Sequence, residues 1–225
     1  MIDGHGDDLF RYAGKVKINF STNIPQCVDH SGLMDHLAGK GAIFRNYPEP
    51  EPRSVEKKLA ARHGTDADSI IVTNGATEAI YLLAHAFSNG RSAILAPTFR
   101  EYQDACGVFG HAVEFISSLD GIGGGHDMVW LCNPNNPTGR VHDRRRLLTA
   151  IDDNPATVFV VDQAYAAFSV GEVLSVGDVM ARRNVVMLHS MTKQFVVPGL
   201  RVGYAIGQAW ICLLYTSPSP RDPKT

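Results

Sequence analysis

A chain of 225 residues with 44% hydrophobic side chains can hold one large domain with a buried core, and its formal charge of −2 offers no basic field for nucleic acid. The cysteines Cys27, Cys106, Cys132 and Cys212 lie far apart and the histidines are dispersed, which signals neither a disulfide framework nor a metal site. Reduced thiols in a cytoplasmic protein are expected, with no secretory apolar region and no apolar run near the length of a membrane span.

In chain order, the first 25 residues are polar and glycine-rich, with a strand-like run over 16–20, and read as an arm that packs on something else. His5 in this arm is either a ligand contact or a solvated terminal histidine. A helix is predicted over 31–39. Three prolines, Pro48, Pro50 and Pro52, then hold the backbone extended, in a segment that connects elements or presents Tyr47 at a fixed place. From Ser54 the pattern is helical, with Val55, Leu59 and Ala60 on one face and Gly64 as the stop. Strands are predicted over 70–73, 93–96, 112–116, 128–132, 157–161, 185–188 and 202–206. Most are continuously apolar, as in strands covered on both faces, so a mostly parallel α/β sheet is expected. Ile80, Leu83, Ala84 and Phe87 mark a helix between the first two strands, and Arg144, Arg145 and Arg146 open another.

Ligands of open α/β sheets gather beyond the carboxyl ends of the strands, which makes the residues there the test set. After the first strand, Gly75 and Ala76 turn directly into a helix, either as a plain cap or as a phosphate cradle. Phe99 follows the second strand, either as core or as a plate for a flat ring. Asn133, Asn135 and Asn136 lie in a proline-stiffened turn ending at Gly139. Asp162 ends an apolar run, where a carboxylate needs a partner or water, and Tyr165 follows it. One loop then gathers Ser190, Thr192, Lys193 and Arg201, a set suited to a phosphorylated ligand beside a nucleophilic amine. The glycine run 121–125 precedes a strand and opens no helix, the wrong context for a dinucleotide fingerprint.

Asn136-Pro137-Thr138-Gly139, Asp162-x-x-Tyr165, Ser190-x-x-Lys193 and Arg201 follow one another at spacings that resemble the large domain of fold-type I pyridoxal-phosphate enzymes, the class I/II aminotransferases. The likeness covers roughly 47–207. It implies a three-layer α/β/α domain around a mostly parallel seven-stranded sheet, with pyridoxal 5′-phosphate as cofactor. Lys193 would carry the cofactor as a Schiff base, and Asp162 would face the pyridine nitrogen. Asn136 and Tyr165 would meet the ring's phenolic oxygen, and Phe99 its face. Gly75, Ala76, Ser190 and Arg201 would hold the phosphate. Tyr47 would reach the phosphate of a neighbouring subunit in a homodimer.

Within the family, the threonine-phosphate decarboxylase branch, and next the histidinol-phosphate aminotransferases, resemble the chain in His5-Gly6, in Asn19 through Asn23 and in Pro97 through Tyr102. This implies an amino acid or phosphorylated amine as substrate, with His5 and Asn23 touching it. Two departures are Asp7, where relatives often have glycine, and Gln163, where an acid is usual. The resemblance also divides the chain into an arm and small-domain segment (1–45), the cofactor-binding large domain (46–208) and a tail outside the family pattern (209–225). Family members continue into a C-terminal small domain carrying carboxylate-binding arginines. The expectation is therefore of a truncated chain that binds cofactor but lacks its substrate clamp.

Overall fold

Seven runs rich in apolar residues pair into one sheet whose inner strands bury both faces, whereas the edge strand over 112–116 is largely exposed. The computed structural model describes residues 11–12, 14–25 and 28–213, so His5, Asp7, Cys27 and the end of the tail lie outside the described residues. The strands are β1 (Ile70–Thr73), β2 (Arg91–Leu95), β3 (Ala112–Ile116), β4 (Met128–Cys132), β5 (Val158–Asp162), β6 (Val185–Ser190) and β7 (Gly203–Gly207). Their order across the sheet is β1-β7-β6-β5-β4-β2-β3. Strand β7 runs antiparallel to both of its neighbours, and the other adjacent pairs are parallel.

The helices are α1 (Ser31–Ala38), α2 (Arg53–His63), α3 (Ala76–Ala86), α4 (Glu101–Val108), α5 (Arg144–Asp153), α6 (Val176–Met180), α7 (Met191–Gln194) and α8 (Ala209–Leu213). Alternation along β4 shows how they form layers. Met128 and Trp130 pack with Ile80 and Leu83 of α3 and with Tyr102 and Ala105 of α4. Val129 and Leu131 point the other way, to Leu147 and Ile151 of α5 and Val179 of α6. Each such buried aliphatic side chain contributes about 1.5–3 kcal/mol, so the sheet is held from both sides. Among the described residues no helix is long and apolar enough to cross a membrane.

The strand limits differ from expectation where pairing extends or shifts them. Strand β6 runs on to Ser190 because Ser190 still pairs with Gly203 of β7. The predicted 93–96, 157–161 and 202–206 become Arg91–Leu95, Val158–Asp162 and Gly203–Gly207, which makes Asp162 the last residue of its strand. Residues 16–20 form no strand, and Ile18 and Phe20 are exposed, since no neighbouring strand receives them. On α2 the buried residues are Ala60 and Glu56, whereas Val55 is exposed. Arg53 Nη1 donates to Glu56 Oε2 at 3.1 Å, so this carboxylate keeps a charged partner while its stem is covered. Gly64 closes α2 at a φ of 67°, as its position suggested. Residues 209–213 form α8 and bury Ile211 and Cys212.

Candidate active site

The site grows from three strand ends on the face of the sheet covered by α3 and α4. Gly203 pairs with Thr73 on one side and with Ser190 on the other, tying the first strand to the lysine loop. A Cβ on Gly203 would lie 2.5 Å from the Ala76 nitrogen, so glycine is what lets β7 pass under the turn that opens α3. That turn is Gly75, at a φ of 79°. Arg201, itself left-handed at a φ of 50°, brings its guanidinium against the same turn. A Cβ on Gly75 would meet Arg201 Nη2 at 2.8 Å. The opening amides of α3 and this guanidinium together form a cradle for an anion.

Asp162 lies at the end of β5 and is 3% exposed. Its Oδ1 accepts from the Ala164 N–H at 2.9 Å and its Oδ2 from the Tyr102 O–H at 2.8 Å. Burial pushes the carboxyl above its usual range, opposed by those two hydrogen bonds and by the charge of Lys193. A buried acid in this state is suited to a cationic ligand group.

Opposite it, Asn23 Nδ2 donates to Asn136 Oδ1 at 3.2 Å. Burial raises the Tyr165 phenol, and a hydrogen bond with Asn23 partly offsets this. Lys193 sits in α7, half-buried, with Nζ 5.7 Å from the centre of the Tyr165 ring. Phe99 presents a half-buried ring, set edge-on to Tyr102 at 5.8 Å and 83°.

These groups enclose a cavity of about 590 Å³. Of the residues predicted from sequence, Lys193, Asp162, Asn136, Tyr165, Phe99, Ala76, Ser190, Arg201 and Asn23 line it. Gly75 stands behind, against Arg201. Tyr47 is fully exposed and outside it. Gln163 is buried and turned away, donating to the Leu174 carbonyl at 3.2 Å, so the missing acid at that position leaves the cavity unaltered.

Among the residues not foreseen at the site, Cys132, Thr77 and Tyr102 bear on its chemistry. Cys132 lines the cavity because it pairs in register with Asp162, and burial pushes its thiol up to about 12. Thr77 lines it from the first turn of α3. Tyr102 reaches Asp162 from behind. It stands in the first turn of α4, and nothing in the local sequence sets it apart from a core aromatic.

A phosphate fits the Gly75–Arg201 cradle, a flat ring fits beside Phe99, and a protonated ring nitrogen suits buried Asp162. Lys193 lines the same cavity with an amine able to bond an aldehyde, so the residues present fit an aldehyde-bearing pyridine phosphate. The fold is that of the pyridoxal-phosphate-dependent transferases. The sequence matches the model for aminotransferase class I and II over residues 15–217, and the chain belongs to that family. Its cofactor is pyridoxal 5′-phosphate.

Histidinol-phosphate aminotransferase of Desulfitobacterium hafniense (strain DSM 10664 / DCB-2) is 30% identical over 217 residues, covering 84% of this chain and 59% of that protein. The crystal structure of L-threonine-O-3-phosphate decarboxylase from Porphyromonas gingivalis superposes with a TM-score of 0.83 at 38% identity, covering 87% of this chain and 64% of that one. The adenosylcobalamin biosynthesis bifunctional protein CobDQ of Leptospira interrogans is 26% identical over 230 residues, covering 92% of this chain and 26% of that protein. The chain thus spans about three fifths of the length of the first two.

Gly75→Ala tests the cradle. The methyl group would meet Arg201 at 2.8 Å on a backbone already at positive φ. Cofactor affinity, measured by fluorescence titration, is expected to fall about tenfold or more, equivalent to about 1.4 kcal/mol. Unchanged affinity would place the phosphate elsewhere.

Proposed function

We propose that this chain is a cytoplasmic pyridoxal-phosphate-dependent carbon–carbon lyase acting on L-threonine O-3-phosphate, in the service of cobalamin biosynthesis. One observation carries the reading: lysine, buried carboxylate and anion cradle share a single cavity in a chain 38% identical to a solved L-threonine-O-3-phosphate decarboxylase.

The bound cofactor supplies an electron sink for the pair released at the substrate α-carbon. Lys193 would hold it through its amine, and the same Nζ would move a proton at the substrate α-carbon. Asp162 would keep the ring nitrogen protonated. Asn136 and Tyr165 would hydrogen-bond the phenolic oxygen, Phe99 would cover the ring face, and Ser190 and Arg201 would join the amides of Gly75 and Ala76 around the phosphate. Asn23, already bonded to Asn136 at the rim, is placed to touch substrate, and His5 is assigned the same task by resemblance. Tyr47, fully exposed beside exposed Phe44 and Ile43, is assigned to a homodimer contact in which it reaches the phosphate of the second copy.

The second reading is transamination of histidinol phosphate, favoured by the relatives that carry that name at about 30% identity. The test begins with borohydride reduction of the cofactor-loaded chain and mapping of the labelled peptide, expected at Lys193. Release of CO2 from L-threonine O-3-phosphate supports the lyase. Amino transfer from histidinol phosphate to a 2-oxo acid supports the aminotransferase. Label at Lys193 with neither reaction would favour a cofactor-binding module over a complete enzyme.

A further inference from the structure

Tyr102 is a wholly buried phenol behind the cavity, and its hydroxyl donates to Asp162. Its ring lies nearly parallel to Trp130 at 5.8 Å and 20°, and edge-on to Phe99 at 5.8 Å and 83°. Trp130 is fixed in turn, its Nε1–H donating to Ser92 Oγ at 3.1 Å. A phenylalanine would fill this place equally well. A buried hydroxyl costs free energy unless it is hydrogen-bonded, so the O–H calls for its own explanation.

The carboxylate explains it. An aspartate side chain has a broad, roughly two-fold terminal torsion and can swing its plane. Here one donor holds each oxygen, Ala164 N–H on Oδ1 and Tyr102 O–H on Oδ2. Two donors on different oxygens lock that plane and leave the remaining lone pairs for a ligand. Burial holds the Tyr102 phenol well above its ordinary range, so it stays a donor throughout the working pH range.

We propose that Tyr102 is a positioning residue: its phenolic O–H orients Asp162 toward the cofactor's ring nitrogen, and its packing couples that carboxylate to the plate formed by Phe99. The assignment rests on the pyridoxal-phosphate reading above. It predicts a proton balance as well as a geometry. Without the phenol, Asp162 grips the ring-nitrogen proton in a less favourable direction and the ring carries less positive charge. The nitrogen joining Lys193 to the cofactor then keeps its proton to higher pH.

The test loads the 225-residue chain and Tyr102→Phe with pyridoxal 5′-phosphate and follows the visible absorption of the bound cofactor against pH. The variant is expected to keep the borohydride label on Lys193, to shift the absorption midpoint upward by about half a pH unit and to release cofactor several-fold faster. A midpoint and release rate equal to those of the unaltered chain would overturn the assignment. Should the variant not fold, the unaltered chain with 13Cζ-labelled tyrosine gives an independent reading. The Tyr102 resonance must move on loading pyridoxal 5′-phosphate and hold still with inorganic phosphate alone; the same response to both overturns the assignment. If the unaltered chain shows neither visible band nor label at Lys193, the cofactor reading itself fails, and the role of Tyr102 with it.

Discussion

Lys193→Ala is expected to abolish the borohydride-fixed pyridoxyl label and to lower turnover on the order of 10⁴-fold. Both losses have one source. Lys193 is the lysine that lines the cavity among the described residues, and the aromatic face of Tyr165 steadies its Nζ from 5.7 Å. Lys193→Arg should fare no better, because a guanidinium stays protonated and cannot serve as a nucleophile at neutral pH. The fold should persist in both variants, since α7 is a single short turn at the edge of the core. Cofactor should still enter and be held at its phosphate end by the Gly75–Arg201 cradle. A small primary amine added to Lys193→Ala should restore part of the lost rate by replacing the missing proton carrier. A label appearing undiminished on another lysine would overturn the assignment.

Asp162→Asn separates stability from function. Cofactor affinity is expected to fall on the order of 10²-fold, the cost of losing a buried charge-assisted contact with the ring nitrogen. The cofactor-free chain should nonetheless melt higher than the unaltered protein near neutral pH. The sign follows from burial, which raises the folded carboxyl above its unfolded value of 3.8. Between those two values the unfolded chain has released its proton while the folded chain still holds it. Stability therefore falls as pH rises through that window, and the full penalty remains above it. Asparagine carries no charge to desolvate. Its amide oxygen can accept from Ala164, and the Tyr102 hydroxyl can turn to accept from its NH2. Melting curves from pH 4 to 8, with and without cofactor, check both halves. A lower neutral melting temperature for cofactor-free Asp162→Asn would show that the carboxylate stabilises the empty fold.

Most of the site was legible because its members are misplaced by the rules of core formation. Asp162 at the end of four buried apolar residues, and Lys193 just past another such strand, have no structural reason to be there. Their order along the chain then coincided with their order around one cavity. Tyr102 was not legible as a site residue for the opposite reason. By burial it is a core residue, and only the placement of α4 against the end of β5 turns its O–H toward Asp162. The antiparallel sense of β7 was hidden too, since an apolar run carries no direction. The run over 16–20 looked like a strand on composition, but a strand requires a neighbour that local sequence does not supply. Val55 and Glu56 exchanged roles on α2 because adjacent helical positions lie about 100° apart, and an arginine three residues before a glutamate can accompany its carboxylate under cover.

Strand β7 comes last of the seven described strands along the chain but lies second in the sheet, wedged between β1 and β6. A polypeptide emerging from the ribosome would therefore carry the first strand unescorted while more than a hundred further residues were made. The arginine and the glycine turn would meet only when β7 slid into its slot. Capture of the ligand's phosphate thus waits for β7, and a chain released a few residues short of Gly203 would keep its lysine yet lack the strand that brings the cradle together.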